Sequence, residues 1–418
     1  QYEINMTAKT ITLNNGLTIL LDHFNSNTLS IGLWLNVGSV NENNKQLGIA
    51  HMLEHMAFKG TKNRNAFDIS KEIEDVGGDI NAYTSKENTA YYVKLLPSNH
   101  ELGIEILSDI FLNSTFPKEE IERERGVIIS EIGQSNDMPD DKVFDKFYSL
   151  AYQNQSIGKP ILGTKVSVGG FNKDDLKEFC NQNYNPSNLI IGISGKFDES
   201  KIINQIKKNF EFLKSGNKST KPKYKWNSGF HSEKKDLQQA PIVFGVEGLS
   251  NVDKQRLDLS ALSIILGGGM SSKLFQEIRE KKGLCYSIFS FQSQFLSSGI
   301  FGFYSACNPN DLENLLDTSL NEIKNLSKNI TINDLDRAKA QLSSGFIRAQ
   351  DFTFSRLERN VKSLFTHSKM FSEDYILNKI SELKISNLLD LYDRLFYDPK
   401  TVLSIIGPDQ KDFSNLNL

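Results

Sequence analysis

His51-Met52-Leu53-Glu54-His55 puts two imidazoles and a carboxylate within one helical turn of each other. At about 100° per residue, His51 and His55 fall on one face of a helix with Glu54 beside them. Two neutral histidines on one face suit a zinc ion, and a neighbouring carboxylate suits proton removal from a water in a hydrolase. With six histidines in 418 residues, composition alone produces the HxxEH pattern in roughly one chain in two hundred. The competing reading is an amphipathic helix whose histidines merely face water. A catalytic zinc normally takes three protein ligands, so a third has to come from elsewhere in the chain.

Three longer stretches extend the pattern. HMLEHMAFKGT (51–61) is followed by VGGDINAYTSKENTAYY (76–92) and ERERGVIISEIGQSNDMPDDKVFDKF (122–147). Together they resemble the pitrilysin or insulinase family of zinc peptidases, peptidase family M16. The resemblance is to the branch that holds the mitochondrial processing peptidase and its bacterial relatives. It implies a third ligand 76 residues after the second histidine, which is Glu131. It also implies a further glutamate at Glu124, two turns earlier on the same helix face, orienting a ligand from behind and counted among the catalytic residues. Taken alone, either would read as a solvated helix carboxylate, since Glu119, Glu120 and Glu122 crowd the same segment. One Zn2+ per chain, with Glu54 as general base, is the implied catalytic set.

In the second half, the resemblance implies substrate contacts from Arg279 and Tyr286, in EIREKKGLCYS. A guanidinium and a phenol can each donate to a carbonyl oxygen that gains negative charge during hydrolysis. By default they are a solvated helix charge and a strand aromatic. Asn81, Ala82 and Thr84 fall in a strand that the family uses at a sheet edge to bind peptide as an added strand. Asp141 and Asp145 match two carboxylates that engage a basic substrate residue in the mitochondrial enzyme. Their alternative is an acidic helix start, favourable near a helix N-terminus. Gly267-Gly268-Gly269 satisfies neither GxxxxGK[ST] nor GxGxxG, so it gives no reason to expect a nucleotide.

The chain carries an internal repeat. Tyr184-Asn185-Pro186 leads into the apolar run 189–193 and Gly195, and Tyr397-Asp398-Pro399 leads into 402–406 and Gly407. Each follows a helical pattern, at 173–180 and 385–395. Strand-like runs open both halves, at 17–21 with 29–37, and at 241–246. Residues 214–225, rich in Lys, Ser, Gly and Asn, read as an exposed linker. The expected division is a zinc-bearing half-domain at 1–213, the linker at 214–225, and a non-zinc half-domain at 226–418. The family implies an α+β fold of two related half-domains, each a largely antiparallel sheet with helices packed on one side.

Composition narrows the partners. A net charge of −3 gives no whole-chain reason for nucleic acid, and no run approaches eighteen apolar residues, so no membrane span is expected. Three cysteines without CxxC spacing favour reduced thiols in a bacterial cytoplasm, with mitochondrial matrix and periplasm as alternatives. The chain opens at Gln1 without a basic-then-apolar leader, so a targeting segment is expected to be trimmed or absent. Peptides are the expected substrates, cleaved within extended segments, in precursor processing or in general clearance. A homodimer is expected, because one chain carries both the metal set and the Arg279/Tyr286 pair. The alternative from a different class is a non-catalytic scaffold subunit; such relatives break HxxEH, which is intact here.

Overall fold

The computed structural model describes residues 8–408 and 413. The chain forms two compact units. One contains residues up to Gly133 together with Pro160–Lys221 and Arg348–Ser372; the other contains Gln134–Lys159, Pro222–Ile347 and the chain from Glu373 on.

The first unit is built on strands β1 (Lys9–Thr12), β2 (Thr18–His23), β3 (Leu29–Leu35), β4 (Asp79–Thr84), β5 (Thr89–Leu95) and β6 (Leu189–Gly195). They lie in the order β1-β2-β6-β3-β5-β4, antiparallel throughout except for β2 beside β6. The second unit holds β7 (Gly229–Lys234), β8 (Ala240–Glu247), β9 (Cys285–Gln294), β10 (Gly299–Cys307) and β11 (Val402–Gly407), in the order β7-β11-β8-β10-β9. Only β7 and β11 run parallel. With β1 set aside, both sheets place their first strand beside the last, then the second, the fourth and the third. The repeat seen around Tyr184 and Tyr397 is therefore a repeat of winding, with β6 and β11 in equivalent places.

Helices α1 (Ile49–Met56), α2 (Ala66–Glu74), α3 (His100–Asn113) and α4 (Lys118–Asp137) send Met52, Ile73, Leu107 and Ile128 into one core with Ile31, Leu33 and Leu35 of β3. The expected α+β class, a largely antiparallel sheet with helices packed on one side, is what forms, with one addition. A helix also covers the opposite face of each sheet. In the first unit, Leu20, Trp34, Ala90 and Ile190 point away from the main core and pack against Leu357 and Val361 of the helix Thr353–His367. Gly32 and Gly192 make room there: a Cβ on Gly32 would meet Trp34 at 2.5 Å, and one on Gly192 would meet Leu357 at 3.1 Å. In the second unit, helix α5 (Pro139–Ala151) lies on β8 and β11, where a Cβ on Gly245 would meet Phe147 at 2.7 Å. Both covering helices come from the other half of the sequence. Continuous burial along β3 and β6 is the physical reason, since a strand apolar on both sides needs two covers.

The segment 214–225 has no regular structure, but it is not exposed throughout. Lys221 donates from Nζ to the carbonyls of Asn36 and Glu87 and to Asn41 Oδ1 in the first unit. Tyr224 and Trp226 are buried in the second, where Trp226 Nε1 donates to the Lys400 carbonyl at 2.7 Å.

A buried ion pair fastens the Thr353–His367 helix. Arg356 donates from Nε and Nη2 to the two oxygens of Asp22, at 2.8 and 2.9 Å, and Ser194 donates to the same carboxylate. Asp22 is fully buried and Arg356 nearly so. Removing one partner strands the other charge away from water, which costs about 3–5 kcal/mol. Arg356→Ala is therefore expected to lower unfolding free energy by that order in urea titration, and Asp22→Asn/Arg356→Met to recover part of it. Equal stability of Arg356→Ala and the parent would show that the pair fastens nothing.

Candidate metal centre

Helix α1 buries Ile49, Ala50, Met52, Leu53 and Met56, which turns the third and seventh residues, His51 and His55, toward α4. Their rings meet edge to face with centroids 4.6 Å apart. Glu131 on α4 completes the group: its Oε2 lies 3.8 Å from His51 Nε2 and 3.7 Å from His55 Nε2. One ligand atom from each of the three falls within 4.8 Å of the others, close enough to share one metal ion. Two imidazoles and a carboxylate are a donor set that suits zinc, and three protein ligands leave a position open. Burial and the neighbouring His55 push the His51 pKa down to about 4, which keeps its imidazole neutral and able to ligate.

Around this centre the residues divide by what they touch. Glu124, one of the predicted site residues, is 7 % exposed and sits behind His55, with Oε2 2.8 Å from His55 Nδ1. The ring N–H donates to the carboxylate, leaving Nε2 free to face the metal position. Lys59 Nζ lies 2.8 Å from the other oxygen. Burial opposes the charge on Glu124, but the bonds from Lys59 and His55 outweigh it and hold the carboxyl below its usual range. Glu54 is displaced the other way. Burial raises its pKa, and Glu131 adds to this, against the hydrogen bonds from Thr84 and the attraction of His55.

Among the described residues strand β4 is an edge of its sheet, bonded only to β5, and it lies beside α1. Ala82 points into the core while Asn81 is exposed. Thr84 contacts both Glu54 and, at 3.4 Å, the Ala50 carbonyl. The edge strand and the metal centre therefore belong to one surface of the first unit.

The remaining predicted residues lie in the second unit. Arg279 and Tyr286 come together, the guanidinium carbon 5.5 Å from the Tyr286 ring centroid and 4.6 Å from that of Phe275. Tyr286 is 82 % exposed. In the register of β9 on β10, Ser287 pairs with Ala306 and Cys285 with Cys307, so Tyr286 is the extra residue of a β-bulge. Such a bulge re-aims its side chain away from the sheet. Asp141 and Asp145 stand one turn apart on α5, both exposed. A solvated acidic helix start would place them there equally, and they take no part in the function proposed below.

The resemblances of the whole chain agree with this geometry. The family pattern described as insulinase (peptidase family M16) matches residues 17–165, and that of the peptidase M16 inactive domain matches 170–342. A protein of Rickettsia bellii named an uncharacterized zinc protease is 39% identical, over 95% of this chain and 97% of its own. The chain belongs to the insulinase family, M16. Another uncharacterized zinc protease, YmxG of Bacillus subtilis, is 34% identical over 96% of this chain and 98% of its own. Among solved structures, a protease from Helicobacter pylori superposes with a TM-score of 0.90 at 26% identity, covering 96% of this chain and 99% of that one. Among the described residues, no helix is long and apolar enough to cross a membrane.

Lys59 was not singled out from the sequence. It lies three residues past the end of α1, where helical spacing no longer assigns a side chain to a face, so the sequence carries no signal for it. The carboxylate behind a ligating histidine typically carries 10–100-fold in metal affinity. Glu124→Gln should therefore weaken zinc binding by about that factor in competition with a chromophoric chelator. Unchanged affinity would mean that His55 is oriented without it.

Proposed function

We propose that this M16 member is a zinc-dependent endopeptidase that binds extended, unfolded peptides along β4 and hydrolyses them at His51, His55 and Glu131. The observation that carries the reading is the convergence of these three side chains beside Glu54, with a free sheet edge on the same surface. A zinc ion held there would supply Lewis acidity toward a water and the scissile carbonyl. Glu54 takes the proton of the attacking water and later returns it to the leaving amine. Thr84 holds Glu54 from the edge strand, linking peptide position to base position. Main-chain bonds to β4 give affinity with little sequence demand, as strand addition does. Glu124, through its bond to His55, keeps the ring facing the metal and acts as a positioning residue.

The intact ligand and base set supports an enzyme over a scaffold subunit. Glu54→Gln should keep its zinc and lose turnover by on the order of a hundredfold or more. Full activity in that variant, or activity that survives chelation, would reject the mechanism. Mass spectrometry of fragments from an unbiased peptide library extends the assay: a basic residue fixed near the cut supports precursor processing, and cuts without such bias support general clearance.

The exposed Arg279/Tyr286 pair supports a homodimer in which each chain offers these donors to the peptide bound by its partner. A symmetric pair of chains lets one sequence supply both halves of the chemistry. Mixing Glu54→Gln chains with Arg279→Ala/Tyr286→Ala chains should restore activity after subunit exchange, because one of the two sites then has every part. Mixed dimers that stay inactive while both parents retain zinc would reject the arrangement.

A further inference from the structure

The two histidines are not supported alike. His55 is oriented through its ring by Glu124, whereas His51 Nδ1 is buried with no hydrogen-bond partner among the described residues. The direction of the His51 side chain is therefore inherited from the first turn of α1. That turn has no oxygen of its own to offer: Gly48 is the N-cap, with φ at +88°, and the N–H groups that begin a helix need acceptors from elsewhere.

The Gln46 carbonyl answers the Ile49 N–H, and Glu42 answers two more. Its Oε2 accepts from the Gly48 N–H and its Oε1 from the Ala50 N–H, both at 2.9 Å. One carboxylate therefore grips the backbone immediately before His51 at two points. Glu42 is 7 % exposed; burial pushes its pKa up while those two N–H groups and Lys86 pull it down, and with both oxygens accepting, the geometry is that of an ionised carboxylate. A buried carboxylate persists only where hydrogen bonds answer it. The loop that presents it is braced in turn. Ser39 and Val40 N–H groups donate to the Ser85 and Lys86 carbonyls, Asn41 Nδ2 donates to Ser219 Oγ, and Lys221 donates to Asn41 Oδ1.

We propose that Glu42 is the positioning residue for His51, doing through the helix backbone what Glu124 does for His55 through the ring. The assignment rests on the metal-centre reading given above. Glu42→Gln keeps the volume and one acceptor but turns an amide NH2 toward a backbone N–H, and Glu42→Ala removes both acceptors. The readouts are zinc affinity by chelator competition, the visible absorption of the cobalt-loaded protein, and kcat and KM separately. We expect Glu42→Gln to fold, to bind zinc about 10–100-fold more weakly, to show an altered cobalt spectrum, and to lose kcat with KM little changed. Glu42→Ala should lose at least as much affinity. Folded variants with parental zinc affinity and cobalt spectrum would overturn the assignment, even if they melted at a lower temperature. Failure of both variants to fold would also overturn it, by making Glu42 a support of the whole unit. A parent chain that binds no zinc would reject the metal-centre reading itself, whereas equal affinity in parent and variants would reject only the role of Glu42.

Discussion

Two imidazoles on a two-turn helix converge on one point only if that helix can neither roll nor slide, and the first unit is arranged around that constraint. A helix of this length is marginal alone in water. The apolar face of α1 prevents rolling, because Met52, Leu53 and Met56 are locked in the core against the sheet. Its other face must then carry polar groups close to a protein interior, where each needs a specific answer. His55 has Glu124, Glu124 has Lys59, Glu54 has Thr84, and the helix start has Glu42. Remove the packing and the bonds lose their register; remove the bonds and buried charges oppose the packing.

Much of the fold could be read in advance because hydrophobic period and turn chemistry are local. The Tyr-Asn-Pro and Tyr-Asp-Pro turns followed by apolar runs marked β6 and β11, which proved to be equivalent strands in sheets wound alike. The crossing helices were not legible in the same way. Strand sequences such as LSIGLWL and LIIGISG show that both faces are covered. They do not say which of many amphipathic helices does the covering. The partner of Trp34 turned out to be Leu357, more than three hundred residues away. Residues 214–225 gave a similar lesson: their composition is that of a linker, yet Lys221 and Tyr224 are held by tertiary contacts that composition does not encode.

The site was legible to the extent that it is periodic. His51, Glu54 and His55 follow from helical spacing, and Glu131 and Glu124 from the longer register that the family resemblance supplied; the geometry brings all five together. Glu42 is not legible in the sequence, because a carboxylate in a polar loop has the composition of a solvated one and only the folded chain turns it toward the helix start. The exposure of Tyr286, which a substrate contact needs, does not follow from strand alternation. Alternation along a strand assigns each residue to a face, and one extra residue at a bulge changes the assignment locally.

One departure from ordinary local rules stands at the start of α1. A glycine in the left-handed region stands where a Ser, Thr, Asp or Asn would normally cap a helix, and the capping oxygens come from a buried glutamate instead. A side-chain cap at position 48 would hold one end of the helix and bring its own conformational preferences. A carboxylate set in a braced loop holds two N–H groups at once and ties them to the β4–β5 turn through Ser85 and Lys86. That turn follows the edge strand whose last residue, Thr84, touches Glu54. His51, His55 and Glu131, the neighbouring Glu54 and the edge strand are thus referred to one short stretch of backbone, so a displacement of any one of them is resisted by the others.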